Sequence, residues 1–376
     1  MQIFSIVPRL APAIDGVGDY ALNLAEQLQQ AFAIKTHFIV GDPDWHGESS
    51  LNGFPVSPVE ARSMEALLAL LQADSAPSTI LLHYVPHGYA KKACPFWLIR
   101  GLQIWKQQKP NASLVTMFHE LYALGVPWSS DFWLSPVQKK LAIQLAQLTD
   151  RCLTSCESYA TLLHQFGQGK HGQIPLLSVP SNLGEPIDVP PLTQRQPKLV
   201  VFGQTGARAR VYKKVKQLSQ ICHTLGIQEI LDIGPPTGLT LDQLVHVPIV
   251  ELGFQSSTSA SNLLLNSVAG LVDYDPYRLA KSGIFAAYCA HGLLPINTQI
   301  SRQPQNGLIP GLHYWSPALE PPTLDSQSLD SHSRAMPIAP FQPIAEHAWN
   351  WYQTHNRAMQ ATMFADFIKA SFIRVS

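Results

Sequence analysis

Short apolar runs alternate with amphipathic helical periods along almost the whole chain, and this alternation constrains the fold more than any other feature. The first apolar runs fall at residues 3–7, 37–40, 80–85, 114–118, 152–154 and 176–179. Helical periods lie between or after them, near 19–31, 59–73, 96–109, 135–148 and 157–166. Strands that alternate with helices read as βα units around a parallel sheet. Residues 185–197 break the pattern. They hold Pro186, Pro190, Pro191 and Pro197, with Pro180 just upstream, and carry no sustained period. This is the reading of a linker. The pattern then restarts, with strands expected at 199–202, 230–233, 249–252, 270–272 and 293–296. Helices are expected at 208–225, 256–266 and 282–291. The fold class is therefore α/β, with two doubly wound domains at 1–184 and 198–340. A length of 376 residues suits that count. Residues 301–342, rich in Pro, Ser and Gln, read as a long surface loop. Residues 341–376 read as a terminal helix packing back on the first domain.

Composition excludes several classes of function. Lys and Arg number 26 against 26 Asp and Glu, so net charge is zero, and charged residues are only 14% of the chain. An average soluble domain has roughly 25%. A chain-wide footprint for nucleic acid is missing. At 46% hydrophobic residues, the chain is neither disordered nor short of core. No run approaches the length of a transmembrane helix. The first residues lack the basic region of a signal peptide and read as a strand. Cys94, Cys152, Cys156, Cys222 and Cys289 form no disulfide or zinc pattern. They read as reduced thiols in a cytoplasmic protein.

Three strand ends in the first half carry groups suited to ligands. Gly16-Val17-Gly18 follows the first strand and opens a helix with Tyr20, Leu24 and Leu28 on one stripe. Such a loop lets the backbone approach a phosphate at a helix N-terminus. A tight βα turn accounts for the same glycines without a ligand. The third position of a dinucleotide fingerprint is Ala21, and no clear ribose-binding acid follows the second strand. His119 and Glu120 stand at the end of another strand, where α/β proteins place ligand groups. His119 can donate or accept a hydrogen bond near neutral pH, and Glu120 can orient it or bind a hydroxyl. A lone His is more often structural. His83, Tyr84, His87 and Tyr89 surround a Pro-Gly turn after a third strand and could line a polar pocket or simply close a hydrogen-bonded loop. Trp128-Ser129-Ser130-Asp131 could offer a stacking face to a sugar, although aromatics at helical spacing are usually core.

The strongest electrostatic feature opens the second half. Gly203-Gln204-Thr205-Gly206 leads into a helix carrying Arg208, Arg210, Lys213, Lys214 and Lys216, with no acid between Lys198 and Glu229. Positive charge at a helix start opposes the macrodipole unless an anion binds there. A solvated basic face is the alternative. Further on, Lys281-Ser282-Gly283-Ile284 starts a small-residue helix that ends at Gly292 before a strand. Its start also suits an anion. Asp273-Tyr274-Asp275 has the spelling of a metal motif but reads as a strand-end turn.

In this order along the chain, the motifs resemble those of GT-B glycosyltransferases of the retaining, glycogen-synthase-like group. The matching features are the Gly16-Val17-Gly18 loop, His119, the break near 185–197, the basic Gly203 loop and the Ala290-His291-Gly292-Leu293 turn. The resemblance implies two Rossmann-like domains facing across a cleft. It implies a nucleotide-sugar co-substrate, retention of configuration, and no metal or other cofactor. The first domain would take the acceptor: a sugar, a lipid-linked or a small molecule, with peripheral membrane contact allowed and nucleic acid not expected. His119 would touch the sugar. Gly16, Val17, Gly18, Gly203, Gln204, Arg208, Arg210, Lys213, Lys281, Ser282, Gly283 and Ile284 would hold the nucleotide-sugar, chiefly its diphosphate. Two Glu of that group fall here on Leu279 and Ala287, and its Arg and Lys, six apart, fall on Gln204 and Arg210. The alternative reading is therefore a catalytically inactive GT-B-like binding or scaffold protein.

Overall fold

The structure, a computed structural model, describes residues 1–13, 15–72, 78–122, 130–241, 245–322 and 338–370. The side chains of residues 130 and 131 also lie outside this description. The chain divides into two compact units, one of Met1–Ser178 with Arg357–Ser376 and one of Val179–Asn356.

In the first unit the order is β1 Gln2–Val7, α1 Gly16–Phe32, β2 Lys35–Val40, β3 Ser50–Leu51, β4 Phe54–Pro58, α2 Met64–Leu71, β5 Thr79–Tyr84 and α3 Pro86–Tyr89. It continues through α4 Phe96–Gln108, β6 Ser113–Phe118, α5 Ser130–Leu148, β7 Arg151–Thr154 and α6 Glu157–Phe166. The strands make one sheet in the order β3-β4-β2-β1-β5-β6-β7. Only the short β3 runs antiparallel to its neighbour. In the second unit the order is β8 Gln196–Phe202, α7 Thr205–Tyr212, α8 Val215–Leu225, β9 Glu229–Ile233, β10 Ile249–Gly253, α9 Ser257–Leu265, β11 Ser267–Val272, α10 Gly283–Ala290, β12 Leu294–Asn297 and α11 Gln342–Gln353. Its five strands are all parallel, ordered β10-β9-β8-β11-β12. The last helix, α12 Arg357–Ala370, returns to the first unit. Both units are thus doubly wound α/β sheets flanked by helices. In each, strand order reverses beside the first strand, between β1 and β5 and between β8 and β11. Loops at the carboxyl ends of strands beside such a switch are where this architecture holds ligands.

The helices form for reasons visible in their residues. Tyr20, Ala21, Leu24, Ala25 and Leu28 of α1 are buried as one stripe. Tyr20, Leu24 and Leu28 meet Phe364, Ala365 and Ile368 of α12 in a single core cluster with β1, β5 and β6. Burying a Leu or Phe fully contributes about 1.5–3 kcal/mol, so this seam anchors α12. α10 is placed by one substitution-sensitive contact. Gly270 in β11 has no side chain, and the Tyr288 ring lies against it. The Tyr288 hydroxyl accepts from Phe202 N–H and donates to Val200 O, both at 3.2 Å.

Several expectations need correction. Residues 185–197 do not stand between the units as a linker: they belong to the second unit, where Leu192 and Arg195 are buried. Arg195 donates to Pro190 O at 2.7 Å and His291 O at 2.9 Å, which ties the Pro-rich stretch to the α10–β12 turn. The helical tail 341–376 is split, with α11 in the second unit and α12 in the first. The single helix at 208–225 is two, α7 and α8. The strand at 176–179 is reduced to one bridge, Leu176 to Thr154. Strands β3 and β4 were not expected, because Pro55 and Pro58 hide the alternation of buried Phe54 and Val56. Of the long irregular stretch, residues 323–337 lie outside the described residues. No described helix is long and apolar enough to cross a membrane.

Candidate functional site

In the second unit the features converge at the carboxyl end of β8. Gly203 adopts φ +127° there, a conformation a side chain rarely takes, and a Cβ on it would collide with Ile284 of α10. The starts of α7 and α10 are thereby neighbours. No side chain caps α7, whose Ncap is Gln204. At α10 the Ser282 hydroxyl accepts from Phe285 N–H at 3.2 Å. Ser282 therefore serves as a cap, and the backbone N–H groups of Gly283 and Ile284 have no partner within the helix. Lys281 is half-buried at the end of the 3₁₀ turn that precedes α10.

The five positive charges of 208–216 separate. Arg208 is buried and pairs with Asp232 of β9, and its Nε donates to Gly203 O at 2.9 Å. Tyr212 donates to the second Asp232 oxygen at 2.5 Å. Arg208 is thus an internal strut under the loop, which corrects its expected role as a phosphate ligand. Its charge is already matched by a carboxylate in the interior. Lys214 lies 3.7 Å from Asp273. Arg210 and Lys213 are exposed. The Arg210 guanidinium leans on Gly206 O at 3.2 Å and Asp273 O at 3.4 Å, between α7 and the end of β11. Asp273 also accepts from Thr298 and from Gln299, the latter at 3.0 Å, and Asp275 caps Tyr277 N–H. These engagements make Asp273-Tyr274-Asp275 a strand-end turn. Among the described residues no cluster of three or more His, Cys, Asp or Glu could hold a metal ion. Leu279 and Ala287 are fully buried.

In the first unit, the Gly16-Val17-Gly18 loop is differently used. The Asp15 carboxylate accepts from Val17 N–H at 2.9 Å and Gly18 N–H at 3.2 Å, and Arg9 lies 3.4 Å from its other oxygen. The start of α1 already holds an anion of its own, which corrects Val17 and Gly18 as phosphate donors. Gly18 is required because a Cβ would strike the Arg9 carbonyl oxygen, whereas nothing lies within 4 Å of one on Gly16. Gly16 alone keeps the open approach expected of it.

His119 follows β6 and is nearly buried, with 6% of its surface exposed. Its Nε2 lies 3.2 Å from Nδ1 of His83 at the end of β5. The two rings stack at 5.5 Å, and Tyr20 of α1 packs edge-on against both. Tyr20 donates to Gln360 of α12 at 2.7 Å, and Gln360 donates to Ser178 O at 2.7 Å. Burial pushes the His83 imidazole down to about 3, so it is neutral. The ring partner of His119 is thus His83, not Glu120. Glu120 is half-exposed beside it, and its backbone N–H donates to Tyr84 O at 3.3 Å. Tyr20, Gln360, Asp15 and Asp232 were missed as site-shaping residues; the signal for His83 was its place at a strand end. The side chains of Trp128-Ser129-Ser130-Asp131 lie outside the described residues.

No protein family matches the sequence, and no curated protein does. Solved structures match over nearly the full length. The lipopolysaccharide outer core galactosyltransferase WaaB, in its apo form, has a TM-score of 0.60 at 11% identity, covering 98% of this chain and 99% of its own. An alpha-glucosyltransferase in complex with UDP has 0.57 at 10%, covering 98% and 99%. It has also been solved with UDP and a 13-mer DNA. The alpha,alpha-trehalose 6-phosphate synthase of Burkholderia multivorans has 0.58 at 11%, covering 100% and 97%. Two doubly wound units in this order, matched end to end by these enzymes, give the chain the GT-B glycosyltransferase fold.

Proposed function

We propose that the chain transfers a sugar from a nucleotide-sugar to an acceptor hydroxyl, with retention and without a metal. The observation that carries this reading is the junction of α7 and α10 at the end of β8. There an uncapped helix start, the Gly283–Ile284 backbone and the exposed Arg210 lie beside the strand switch of the second unit, with Lys213 at the far end of α7. A diphosphate leaving group gathers negative charge as its bond to the anomeric carbon breaks, and fixed N–H groups and cations stabilise that charge. The acceptor oxygen bonds to the same face of that carbon, and its proton passes to the departing phosphate. Gly16 offers open backbone to the donor. His119, with Glu120 beside it, hydrogen-bonds the sugar. The UDP held by the alpha-glucosyltransferase of this fold supports a nucleotide ligand.

The test is thermal unfolding with UDP, GDP and ADP, then with the matching nucleotide-sugars. One nucleotide at 100 times its Kd should stabilise the protein by about 2.7 kcal/mol. Arg210→Ala should abolish that stabilisation while leaving the free protein within about 0.5 kcal/mol of wild type. No response to any nucleotide overturns the proposal. A second reading, a binding protein on the same fold, is favoured by the buried apolar Leu279 and Ala287. It predicts nucleotide binding with no release of nucleoside diphosphate from any nucleotide-sugar.

A further inference from the structure

The His83–His119 pair carries more than a contact. His83 is fully buried, and its backbone is held by Tyr89, whose hydroxyl donates to His83 O at 2.8 Å. β5 and β6 pair in register from Thr79–Ser113 to Tyr84–Phe118, and His119 N–H donates to Tyr84 O at 3.0 Å. Both imidazoles are therefore fixed at their backbones. Tyr20 blocks one side of each ring.

A neutral imidazole carries one proton, and the short Nδ1–Nε2 contact needs exactly one between the two rings. Either His83 donates from Nδ1 or His119 donates from Nε2. The choice is decided at the far side of His83, where Nε2 is buried with no hydrogen-bond partner. If His119 donated, the proton of His83 would sit on that Nε2 as an orphaned N–H. An orphaned buried N–H is the rarer defect, and an unpaired acceptor the milder one.

We infer that His83 is a positioning residue for His119: its Nδ1–H donates to His119 Nε2, which leaves Nδ1 as the nitrogen that carries the ring proton of His119. This inference rests on the reading of His119 as the residue that touches the sugar. It deepens that reading by closing His119 Nε2, which is engaged by His83, as a base. Glu120 has no part in setting the tautomer.

The experiment uses the full-length chain with 15N-labelled histidine and no nucleotide. Two-bond proton–nitrogen correlation spectra at pH 7.5 distinguish protonated from bare ring nitrogens. His119 and His83 are assigned by the peaks lost in His119→Gln and His83→Asn. The expected wild-type pattern is a bare Nε2 and a protonated Nδ1 on His119, with a protonated Nδ1 on His83. In His83→Asn the side-chain amide replaces the Nδ1–H, and the His119 pattern persists. In His83→Leu the donor is gone, and His119 moves to a protonated Nε2 or to an averaged mixture. A protonated Nε2 on His119 in the wild type overturns the inference. So does an unchanged pattern in a folded His83→Leu. If His83→Leu does not fold, the wild-type and Asn spectra decide alone. Because no nucleotide is present, this outcome is separate from the nucleotide test. A failure there removes the transferase reading and leaves the tautomer standing or falling by itself.

Discussion

Arg208 and Arg210 lie two positions apart on one short helix and meet opposite surroundings. Arg208 is interior and neutralised by Asp232, while Arg210 reaches the surface against two carbonyl oxygens. Spacing on a helix separates faces by about 100° per residue, so residues two apart cannot share one. The sequence showed where positive charge concentrates and not which charge is already matched, because the matching acid is 24 residues away, on β9. The glycines divide in the same way. Gly18→Ala should cost about 1–3 kcal/mol in urea unfolding, since the new methyl meets backbone that cannot move aside. Gly16→Ala should stay within about 0.5 kcal/mol of wild type, because that space is open. Equal losses at both positions would contradict this assignment.

At the scale of elements, the start of α7 is aimed by what holds the rest of the helix. Arg208 and Tyr212, one turn apart, both close on Asp232 of β9. Asp232→Ala strands a buried guanidinium and should cost about 3–5 kcal/mol. Replacing the acid and Arg208 together with apolar residues should recover most of that loss in urea unfolding. It should still weaken nucleotide binding, because the strut under Gly203 is gone. A double variant no more stable than Asp232→Ala would show that the pair is not the source of the cost. α10 is aimed by Tyr288 lying over Gly270, and the alanines around it follow from that close approach. The existence of most helices and of the parallel strands was legible, since burial of one face imposes a period on each. Their breaks were less so. The junction at Lys213-Lys214 contains no Gly or Pro to announce it, and β4 was concealed by its own prolines.

The molecule as a whole carries a pH dependence that no single element shows. Burial holds His83 down to about 3, and His291 and His355 to about 4, from an ordinary 6.5. The unfolded chain takes up these protons near 6.5 and the folded chain does not, so stability is full above about 6.5 and falls as pH drops toward 4. Each imidazole contributes up to about 1.4 kcal/mol per pH unit within that window. Urea unfolding at pH 7.5 and 5.5 should show the decline, and His291→Gln should reduce it by about one proton's share. An equal slope in that variant would refute the assignment to His291. By itself the sequence determined that the chain makes two α/β units of strands alternating with helices. Hydrophobic periodicity is local, and each period must bury its own face. It did not determine where the units divide: the Pro-rich 185–197 belongs inside the second, and only α12 joins the first. Nor did it pair His119 with His83, Arg208 with Asp232, or Asp15 with the start of α1. Those pairings depend on which partner a buried polar group finds once water is excluded, and only the tertiary structure brings such partners together.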